Sequence, residues 1–525
     1  MIRKNKTVTV IAALVSLLFG TAYCLTPILS KKGGPFDILA IPRGALFYGL
    51  SLVIVYFAAR WYRDHAPAGA SGSDRKIFIG FVAAHFLIGL FWLLVYYPGV
   101  GNYDTISIMR GYKAIMTQHP WFYCLIIHYI AGTILHFGGT AENVFFVHGL
   151  IQLMYTGLIT AHCVIWLKNK GLARWPLILI SAFFLLDPML NLFKVTLLKD
   201  IPYSYMLLEW LMLLYDLWES RGESLKKKST VLWMALCVVL SLLRNNGIYV
   251  TAFILMCLFI AYRKQWKQIL LLTFVFVLTV AGSIQYERSN GITHLFKETV
   301  GIPLQQIGAV VYNDGVMTQE QAEFIDNVIS LDYIKENYYP YTADKLKWGG
   351  APLKNDYLNA HKHAFLRVWG EMLIPNFRLY VKAYLQITYG FWKTNTQGIL
   401  KYTTLYVEAL DGWFKKADVG IQNVFPEPIQ TRLKTITYDS LLAMGEGQLL
   451  WTFLFLMILL HAVKDSGIWI IAAPAMGGWL TVMISTPTAH QWRYVLFFPL
   501  MIPLLLGLLL VKGPEEETPD DPQQA

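Results

Sequence analysis

Charged side chains in this sequence stand directly beside apolar runs, where a plain solvated turn would be enough. The stretch "YYPGVGNYDTISIMRGYKAIMTQHPW" (96–121) overlaps the end of the apolar run 77–97 and contains Asp104 and His119. A carboxylate such as that of Asp104 can cap the helix that begins after it. It can equally take a proton from a hydroxyl group, because partial burial would raise its pKa toward neutral pH. The residue types therefore allow general base catalysis.

Three later segments have the same polar character between apolar runs. They are "KVTLLKDIPY" (194–203), "LLRNNGIY" (242–249) and "TPTAHQWRY" (486–494). Their candidate residues are Lys199, Asp200, Arg244, Asn245, His490, Arg493 and Tyr494. Structural alternatives exist for each kind of residue, because an Asp at a helix start is a common cap and an Arg beside an apolar run often extends to the membrane interface.

Together these residues fit a reaction with a phosphate leaving group. Cations neutralise the charge that grows on a departing phosphate, and the planar fork of Arg suits that task. Lys199, Arg244 and Arg493 are the candidates for this role. One of the two carboxylates would activate the nucleophile, while the histidines would orient the substrates.

The composition is that of a polytopic membrane protein. The chain has 525 residues, of which 55% are hydrophobic and 15% charged, whereas about a quarter of the residues in soluble domains are charged. Apolar runs that approach about twenty residues predict transmembrane helices. We therefore expect an all-α bundle of about twelve spans, at 8–29, 43–59, 77–97, 143–167, 175–193, 201–218, 229–243, 247–262, 268–284, 447–463, 467–485 and 494–511.

The distribution of Lys and Arg predicts a cytoplasmic N-terminus. The basic loops "RGESLKKK" and "RKQWK" then lie inside, although "SKKGGPFDILAIPR" is a basic loop on the outside. This topology requires that 121–137 does not cross the membrane, so we expect a short juxtamembrane or re-entrant helix there. All four polar segments then face the extracytoplasmic side. Charged residues gathered beside a membrane in this way usually mark a substrate path.

Five regions are expected along the chain. They are an extra N-terminal transmembrane hairpin (1–64), a core membrane region with the catalytic outer loops (65–284), a mainly helical extracytoplasmic domain (285–446), C-terminal transmembrane helices (447–512) and a disordered cytoplasmic tail (513–525). Within the third region, "TQEQ" predicts a capping box.

The net charge of +10 is explained by cytoplasmic loops, so nucleic acid is not an expected partner. The five cysteines, all in apolar stretches, provide neither a disulfide framework nor metal-ligand spacing.

The order of these motifs resembles the GT-C superfamily, the polytopic glycosyltransferases that use sugars linked to lipid phosphates. "YDTISIMRGYKAIMTQHPWFY" is similar to the superfamily's first large outer loop, which carries an acidic residue and leads through a His-Pro or Lys-Pro step into a juxtamembrane helix. "LKDIPYSY", "LLRNNG" and "WRYVLFFPLMIP" are similar to its later motifs. Segments such as "GIPLQQIGAVV" also resemble an uncharacterised family of bacterial, mostly Gram-positive, membrane proteins.

The resemblance implies a multi-pass enzyme of the cell membrane that transfers a sugar, with inversion, from a polyprenyl-phosphate donor to an extracytoplasmic glycan, lipid or protein. It implies Asp104 and Asp200 as catalytic residues, and His119, Lys199, Arg244, Asn245, His490, Arg493 and Tyr494 as substrate-binding residues. No Asp-x-Asp motif is present, and a divalent metal is left open. The alternative function is a transporter or flippase for lipid-linked saccharides, which would need charged or broken helices near the membrane midplane.

Overall fold

The computed structural model describes residues 2–101, 103–110, 118–348, 350, 352–395, 419–420, 422–436, 444–464 and 466–511. The predicted disordered tail, 513–525, lies outside the described residues. Within them the regular structure is helical, and the only extended pairings are three isolated β-bridges. An all-α architecture is therefore confirmed for the part of the chain that the structure describes.

The described residues of the N-terminal half form twelve α-helices. They are α1 (Ile2–Ile28), α2 (Ala40–His65), α3 (Asp74–Val95), α4 (Tyr103–Arg110), α5 (Trp121–His136), α6 (Ala141–Asn169), α7 (Arg174–Leu186), α8 (Pro188–Lys194), α9 (Asp200–Glu219), α10 (Lys228–Leu240), α11 (Gly247–Ala261) and α12 (Trp266–Ser289). The predicted hairpin at the N-terminus corresponds to α1 and α2, which pack against each other.

Twelve further α-helices occur among the described residues of the C-terminal half. Those of the long polar segment are α13 (Phe296–Thr299), α14 (Gly301–Tyr312), α15 (Gln319–Val328), α16 (Leu331–Asn337), α17 (Asp344–Lys347), α18 (Asn355–Ala360), α19 (Lys362–Leu373), α20 (Phe377–Ile387) and α21 (Glu427–Ile436). The apolar helices α22 (Glu446–Val463), α23 (Ala473–Ser485) and α24 (Phe497–Leu510) follow.

Eight helical stretches in the described residues are long and apolar enough to cross a membrane. They are Lys6–Ile28, Ala40–His65, Asp74–Val95, Ala141–Asn169, Arg263–Ser289, Glu446–Val463, Gly467–Ser485 and Trp492–Leu510, and α7 with α8 gives a ninth if the bent pair is one span. The protein is therefore a multi-pass membrane protein by its helices, and the predicted number of twelve spans is not confirmed. The differences are at α9, which has four acidic residues, and at α10 and α11, which are short.

Helix α9 lies at the centre of the bundle, which explains why it does not need a purely apolar surface. Most of its residues are buried, including Asp200 and Glu209. A helix enclosed by other helices meets protein partners in place of lipid, so its carboxylates can be paired. Glu209 accepts a hydrogen bond from His162 Nδ1 at 2.9 Å, and Asp216 pairs with Lys170 at 2.7 Å.

The run 175–193, predicted as one span, is broken between α7 and α8 by a bend of 52°. Pro188 has no backbone N–H, so the helix is interrupted there. The side chain of Asp187 then caps α8 by accepting from Leu190 N at 2.9 Å. Lys194 Nζ donates to the carbonyl oxygen of Phe184 near the end of α7. These side chains satisfy polar groups that the break exposes, as a break inside a membrane bundle requires.

The long polar segment has a hydrophobic core of its own. Its buried residues include Val300, Leu304, Ile307, Val310, Ile325, Phe365, Met372 and Tyr380. The predicted capping box is confirmed, because Thr318 Oγ1 accepts from Gln321 N at 3.2 Å and the Gln321 side chain accepts from Thr318 N at 3.0 Å. Helix α12 ends at Ser289 and not at the predicted residue 284.

Helix α5 has 16 residues, or roughly 24 Å at about 1.5 Å per residue. This is shorter than the hydrocarbon core of a bilayer, which is about 30 Å. Its first residue is fixed to the C-terminal part of α12, because Trp121 Nε1 donates to Ser283 Oγ at 2.6 Å and the Trp121 ring stacks on Tyr286. The loop that precedes α5 and the end of α12 are therefore at the same end of the bundle.

Candidate functional site

Five charged side chains from four distant parts of the sequence meet at one end of the bundle. We call Asp104, Lys199, Asp200, Arg244 and Arg493 the ion cluster, and the end of the bundle where they lie the cluster end. Arg493 Nη1 lies 3.1 Å from Asp104 Oδ2, and Arg493 Nε lies 4.0 Å from Asp200 Oδ2. Arg244 Nη1 is 3.2 Å from Asp200 Oδ1, and Lys199 Nζ is 3.9 Å from Asp104 Oδ2. The structure thus brings together both predicted carboxylates and all three predicted cations.

Backbone pairing fixes the loop of Asp104 against the loop of Lys199. Val100 N donates to Val195 O at 2.9 Å, and Leu197 N donates to Val100 O at 2.7 Å. At the start of α4, Thr105 Oγ1 donates to Leu197 O at 2.6 Å. These bonds hold two segments nearly one hundred residues apart in the sequence, so the carboxylate and the ammonium group approach each other without relying on their own attraction.

Arg244 is positioned by a tight turn between α10 and α11. Gly247 N donates to Arg244 O at 2.8 Å, and a Cβ at Gly247 would lie 2.1 Å from Ser241 O, so only glycine fits. The guanidinium lies near the rings of Tyr494, at 4.8 Å, and Tyr203, at 5.9 Å. Cation–π contacts of this kind stabilise a cation that has little water around it. Tyr494, a predicted site residue, is therefore part of the cluster's wall.

His119 is also at the cluster. Its Nδ1 lies 3.0 Å from Lys199 Nζ, and an ammonium group can only donate, so Nδ1 accepts this hydrogen bond. Burial and the positive charge of Lys199 lower the pKa of His119 to about 3. Asn245, which is exposed, donates through Nδ2 to Gln118 O at 3.3 Å. Both predicted residues thus lie at the ion cluster or beside it, with His119 as a neutral imidazole.

The pKa of Asp104 is shifted in the opposite direction to the sequence-based expectation. Burial alone would raise it, as expected, but the charges of Arg493 and Lys199 outweigh burial and lower the pKa below its ordinary value. The expectation of a raised pKa is therefore wrong for this arrangement. The reason is that two cations from residues 199 and 493 lie against the carboxylate, which stabilises its charged form.

The lowered pKa of His119 predicts a pH dependence of stability. An unfolded chain protonates histidine near pH 6.5, whereas folded His119 remains neutral down to about pH 3. Between these values the unfolded state binds more protons, so stability rises with pH and is lost as the pH falls. We expect the thermal unfolding midpoint to fall between pH 6.5 and pH 4, and to fall less in His119→Gln. Thermal denaturation in detergent measures both slopes.

The exposed residue His363 offers a matched control for this measurement. His363→Gln is expected to keep the wild-type slope, because this side chain does not lie at the ion cluster. Equal slopes for His119→Gln and the wild-type protein would contradict the description of His119 as a neutral buried acceptor.

His490 is the predicted site residue that does not join the ion cluster. Its ring contacts those of Tyr341 and Tyr389, and the charges that act on it come from Lys393 and Lys31. It precedes Arg493 by three residues, but the chain between them turns in an extended and then a 3-10 conformation. The two side chains therefore point to different neighbours, and His490 lies beside the site and not within it.

The loop before Arg493 is fastened to the long polar segment. Ala343 N donates to Pro487 O at 2.8 Å, and Ala489 N donates to Tyr341 O at 2.8 Å. The hydroxyl group of Tyr341 donates in turn to Leu29 O at the end of α1. The N-terminal hairpin, the polar segment and the loop that leads to Arg493 are thus joined at the cluster end.

One further carboxyl group, which has no signal in the sequence, lies near the cluster. Burial raises the pKa of Asp344, Lys347 opposes this shift, and the negative charges of Glu298 and Asp104 add to it. Asp344 is therefore close enough to Asp104 for their charges to interact, although it lies in a segment that resembles an ordinary helical domain. Lys347 Nζ is 3.4 Å from Glu298 Oε2 and 3.7 Å from Asp344 Oδ1.

The ion cluster does not fit a divalent metal. The described residues contain no group of three or more His, Cys, Asp or Glu side chains placed to hold a metal ion. Asp104 and Asp200, the two acidic candidates, are both ion-paired with Arg493, so a cationic side chain already lies between them. The arrangement is suited to binding an anion, because its cations outnumber its carboxylates by three to two.

Comparison with known proteins gives a family but no function. No curated protein and no solved structure matches the chain. A family model matches residues 113–521, a range that includes Lys199, Asp200, Arg244 and Arg493 and begins after Asp104. Because this match covers most of the chain, the protein belongs to DUF6020, a family of unknown function.

Proposed function

We propose that this protein is a membrane glycosyltransferase, similar to the GT-C type, that transfers a sugar from a polyprenyl-phosphate donor to an extracytoplasmic acceptor. The observation that carries the proposal is the convergence of Arg244, Arg493 and Lys199 with two carboxylates at one end of a membrane bundle. Such a cluster is suited to a substrate that has a phosphate group at the membrane surface and an apolar chain in the bilayer.

The cations would hold the phosphate of the donor. Three cations and two carboxylates leave a net charge of +1 in a largely buried site. A phosphate group would therefore be attracted, and the two guanidinium groups offer planar donors that match its oxygens. In the transition state the same groups would stabilise the charge that develops on the leaving phosphate.

Asp104 would take the proton from the acceptor hydroxyl group. Its ion pairs with Arg493 and Lys199 make it a weak base in the free protein, but a bound phosphate would compete for both cations and weaken their hold on the carboxylate. The acceptor oxygen would then attack the anomeric carbon while its proton passes to Asp104. The bond from that carbon to the phosphate oxygen would break, and the polyprenyl phosphate would leave with the electron pair, giving inversion.

Asp200 has a different environment, which supports a different role. Its side chain is fully buried, and neither carboxylate oxygen has a hydrogen bond among the described residues, although both lie near guanidinium groups. These oxygens would accept hydrogen bonds from sugar hydroxyl groups. His119 and Asn245 would line the same space, and the ring of Tyr494 would offer a face for the sugar to pack against.

A second candidate, a transporter or flippase for lipid-linked saccharides, is favoured by two observations within the membrane bundle. One is the broken helix pair α7 and α8, since broken helices often form transport sites. The other is the buried carboxylate of Glu209, which pairs at 2.9 Å with the exposed side chain of His162, because ionisable groups along a membrane helix often mark a pathway. The ion cluster is the larger group of charges and lies at one end, which favours transfer.

Turnover of a labelled donor tests the proposal. The full-length protein is reconstituted in liposomes with a polyprenyl-phosphate sugar that carries label in both the sugar and the lipid. Transferase activity would separate the two labels, leaving free polyprenyl phosphate and labelled acceptor. A flippase would move the intact donor between leaflets. Intact donor that stays in its leaflet, with every acceptor fraction unlabelled, would contradict both functions.

The proposed location of the site is the extracytoplasmic face of the cell membrane. Thr140, Lys226 and Thr318 are exposed, and the native cysteines are largely buried, so single cysteines introduced at these positions report the topology. We expect an impermeant thiol reagent to label positions 140 and 318 in intact cells, and position 226 only after permeabilisation. Labelling of position 226 in intact cells would place the ion cluster on the cytoplasmic side and contradict the proposed location.

A further inference from the structure

A cavity of about 370 Å³ lies between the N-terminal hairpin and α22. Its walls come from α1, α2 and α22, together with two residues of the long polar segment (285–446). The lining residues are Phe19, Phe47, Tyr48, Ser51, Thr394, Met444, Gln448, Trp451, Thr452 and Phe455.

The cavity runs from the cluster end toward the middle of the bundle. Phe19 is nine residues before the end of α1, Tyr48 is eight residues after the start of α2, and Phe455 is nine residues after the start of α22. At about 1.5 Å per residue, all three lie roughly 12–14 Å below the helix ends. That depth is close to half of a hydrocarbon core of about 30 Å.

The wall of the cavity is formed by aromatic side chains that support one another. The ring of Phe19 stacks on that of Tyr48 at 4.8 Å and meets Trp451 edge-on at 5.4 Å. Tyr48 meets Phe455 edge-on at 5.4 Å, and its hydroxyl group donates to Trp451 O at 2.8 Å. The wall is therefore preformed, and two of the hydroxyl groups that line the cavity, those of Tyr48 and Ser51, donate to backbone carbonyl oxygens.

Polar side chains occur mainly where the cavity approaches the helix ends. Gln448 Nε2 donates to Thr394 O at 3.1 Å, and its Oε1 accepts from Gly445 N at 2.9 Å. The deeper wall is mainly aromatic, and its hydroxyl group from Ser51 of α2 donates to Phe47 O within the same helix. A molecule that fits this gradient has an apolar chain directed into the bilayer and a polar group at the cluster end.

A hydrogen bond joins the rim of the cavity to the residue before Arg493. Met444 lines the cavity, and its carbonyl oxygen accepts a hydrogen bond from Trp492 Nε1 at 3.2 Å. Trp492 is the residue before Arg493, and its ring stacks on Phe193 at 5.0 Å. The rim and Arg493 are therefore at the same end of the bundle, where one lipid molecule could reach both.

We propose that the cavity holds the hydrocarbon chain of a single-chain lipid phosphate whose phosphate group binds at the ion cluster. This inference rests on the proposed function, in which that lipid is the polyprenyl-phosphate donor. It gives the N-terminal hairpin a direct role in binding the lipid, since α1 and α2 provide Phe19, Phe47, Tyr48 and Ser51. The hydrocarbon chain of the lipid would not be held without these residues.

Binding measurements on the full-length protein test this proposal without requiring turnover. The dissociation constant for polyprenyl phosphate is measured by native mass spectrometry for the wild-type protein and for Ser51→Phe and Thr452→Trp, which fill the cavity from α2 and α22. We expect both variants to bind at least about tenfold more weakly, the effect of losing contacts equal to about two buried methylene groups. Binding of a short, water-soluble isoprenyl phosphate should be unchanged.

Leu270→Trp is the matched control, because Leu270 is an exposed apolar residue of α12 and does not line the cavity. Unchanged binding of polyprenyl phosphate in both filled variants would overturn the proposal. If both filled variants lost binding of phosphatidic acid, which has two acyl chains, to the same extent as binding of polyprenyl phosphate, the proposal would also be overturned. The cavity would then be an ordinary lipid site. Chain-dependent binding without sugar transfer would support the cavity assignment and contradict only the proposed function.

Discussion

Asp104→Asn is expected to lower the rate of sugar transfer by about 10²–10⁴-fold, the usual range for the loss of a general base. An amide at this position cannot take the proton of the acceptor hydroxyl group. It also removes the negative charge that holds Arg493 at 3.1 Å and Lys199 at 3.9 Å. Both cations would remain available to a phosphate, so donor binding should be unchanged or tighter. The expected signature is a lower kcat without an increase in the donor KM.

Steady-state kinetics in liposomes, at several donor concentrations, measures this signature. Asp332→Asn provides the control, because it makes the same change at an exposed carboxylate of the long polar segment. Transfer by Asp104→Asn near the wild-type rate, in protein that inserts normally, would contradict the assignment of Asp104 as the base. An increase in the donor KM with an unchanged kcat would instead mean that Asp104 acts in binding.

The position of the ion cluster could be anticipated from sequence because membrane topology sorts loops by side. When the apolar runs are oriented by the Lys and Arg of their loops, the segments around residues 104, 200, 244 and 493 are all predicted on the extracytoplasmic side. Topology does not predict which side chains of these segments contact one another. The hydrogen bond between Arg493 and Asp104 joins residues 389 apart in the chain, and the direction of the Asp104 pKa shift depends on that contact. Burial alone predicts a raised pKa for Asp104, whereas its cationic neighbours lower that pKa.

His490 shows that closeness in the sequence does not by itself place two side chains in one site. The ring of His490 contacts Tyr341 and Tyr389, whereas Arg493 turns toward the carboxylates. Side-chain direction depends on local backbone conformation, and the non-helical residue Gln491 followed by a 3-10 turn is enough to separate two neighbours. Asp344 shows the converse, since its closeness to Asp104 arises only from the way the polar segment folds back onto the bundle.

The fold was predictable where a helix is apolar along its whole length and less so where a buried helix carries charge. The apolar runs were recognisable both in helices that are mostly exposed, such as α1 and α12, and in α6, which is mostly buried. Helix α9 is enclosed by other helices, so it can carry four acidic residues and still be central. The break between α7 and α8 had a visible signal in "LLDPML", where Asp-Pro both ends one helix and caps the next.

Arg244→Met is expected to lower the free energy of unfolding by about 3–5 kcal/mol, the usual cost of breaking a buried ion pair. Asp200 is fully buried, and Arg244 is its closest cation, at 3.2 Å. Without Arg244, the carboxylate of Asp200 still has Arg493 at 4.0 Å. We therefore expect the loss in free energy of unfolding to lie near the lower end of this range. Chemical denaturation in detergent measures the change. Lys335→Met is the control, because the Lys335–Asp314 pair is exposed and exposed pairs contribute little to stability.

The double variant Arg244→Met/Asp200→Leu separates the loss of a cation from the presence of an unpaired charge. Replacing both members of a buried ion pair with apolar residues is often neutral or stabilising, so we expect it to recover more than half of the stability that Arg244→Met loses. It should still be inactive in sugar transfer, since the phosphate would lose a guanidinium group and the sugar would lose a carboxylate. A double variant as unstable as Arg244→Met would mean that Arg244 acts through its contacts with Tyr203 and Tyr494. The buried pair would then be secondary to aromatic packing in holding this turn at the site.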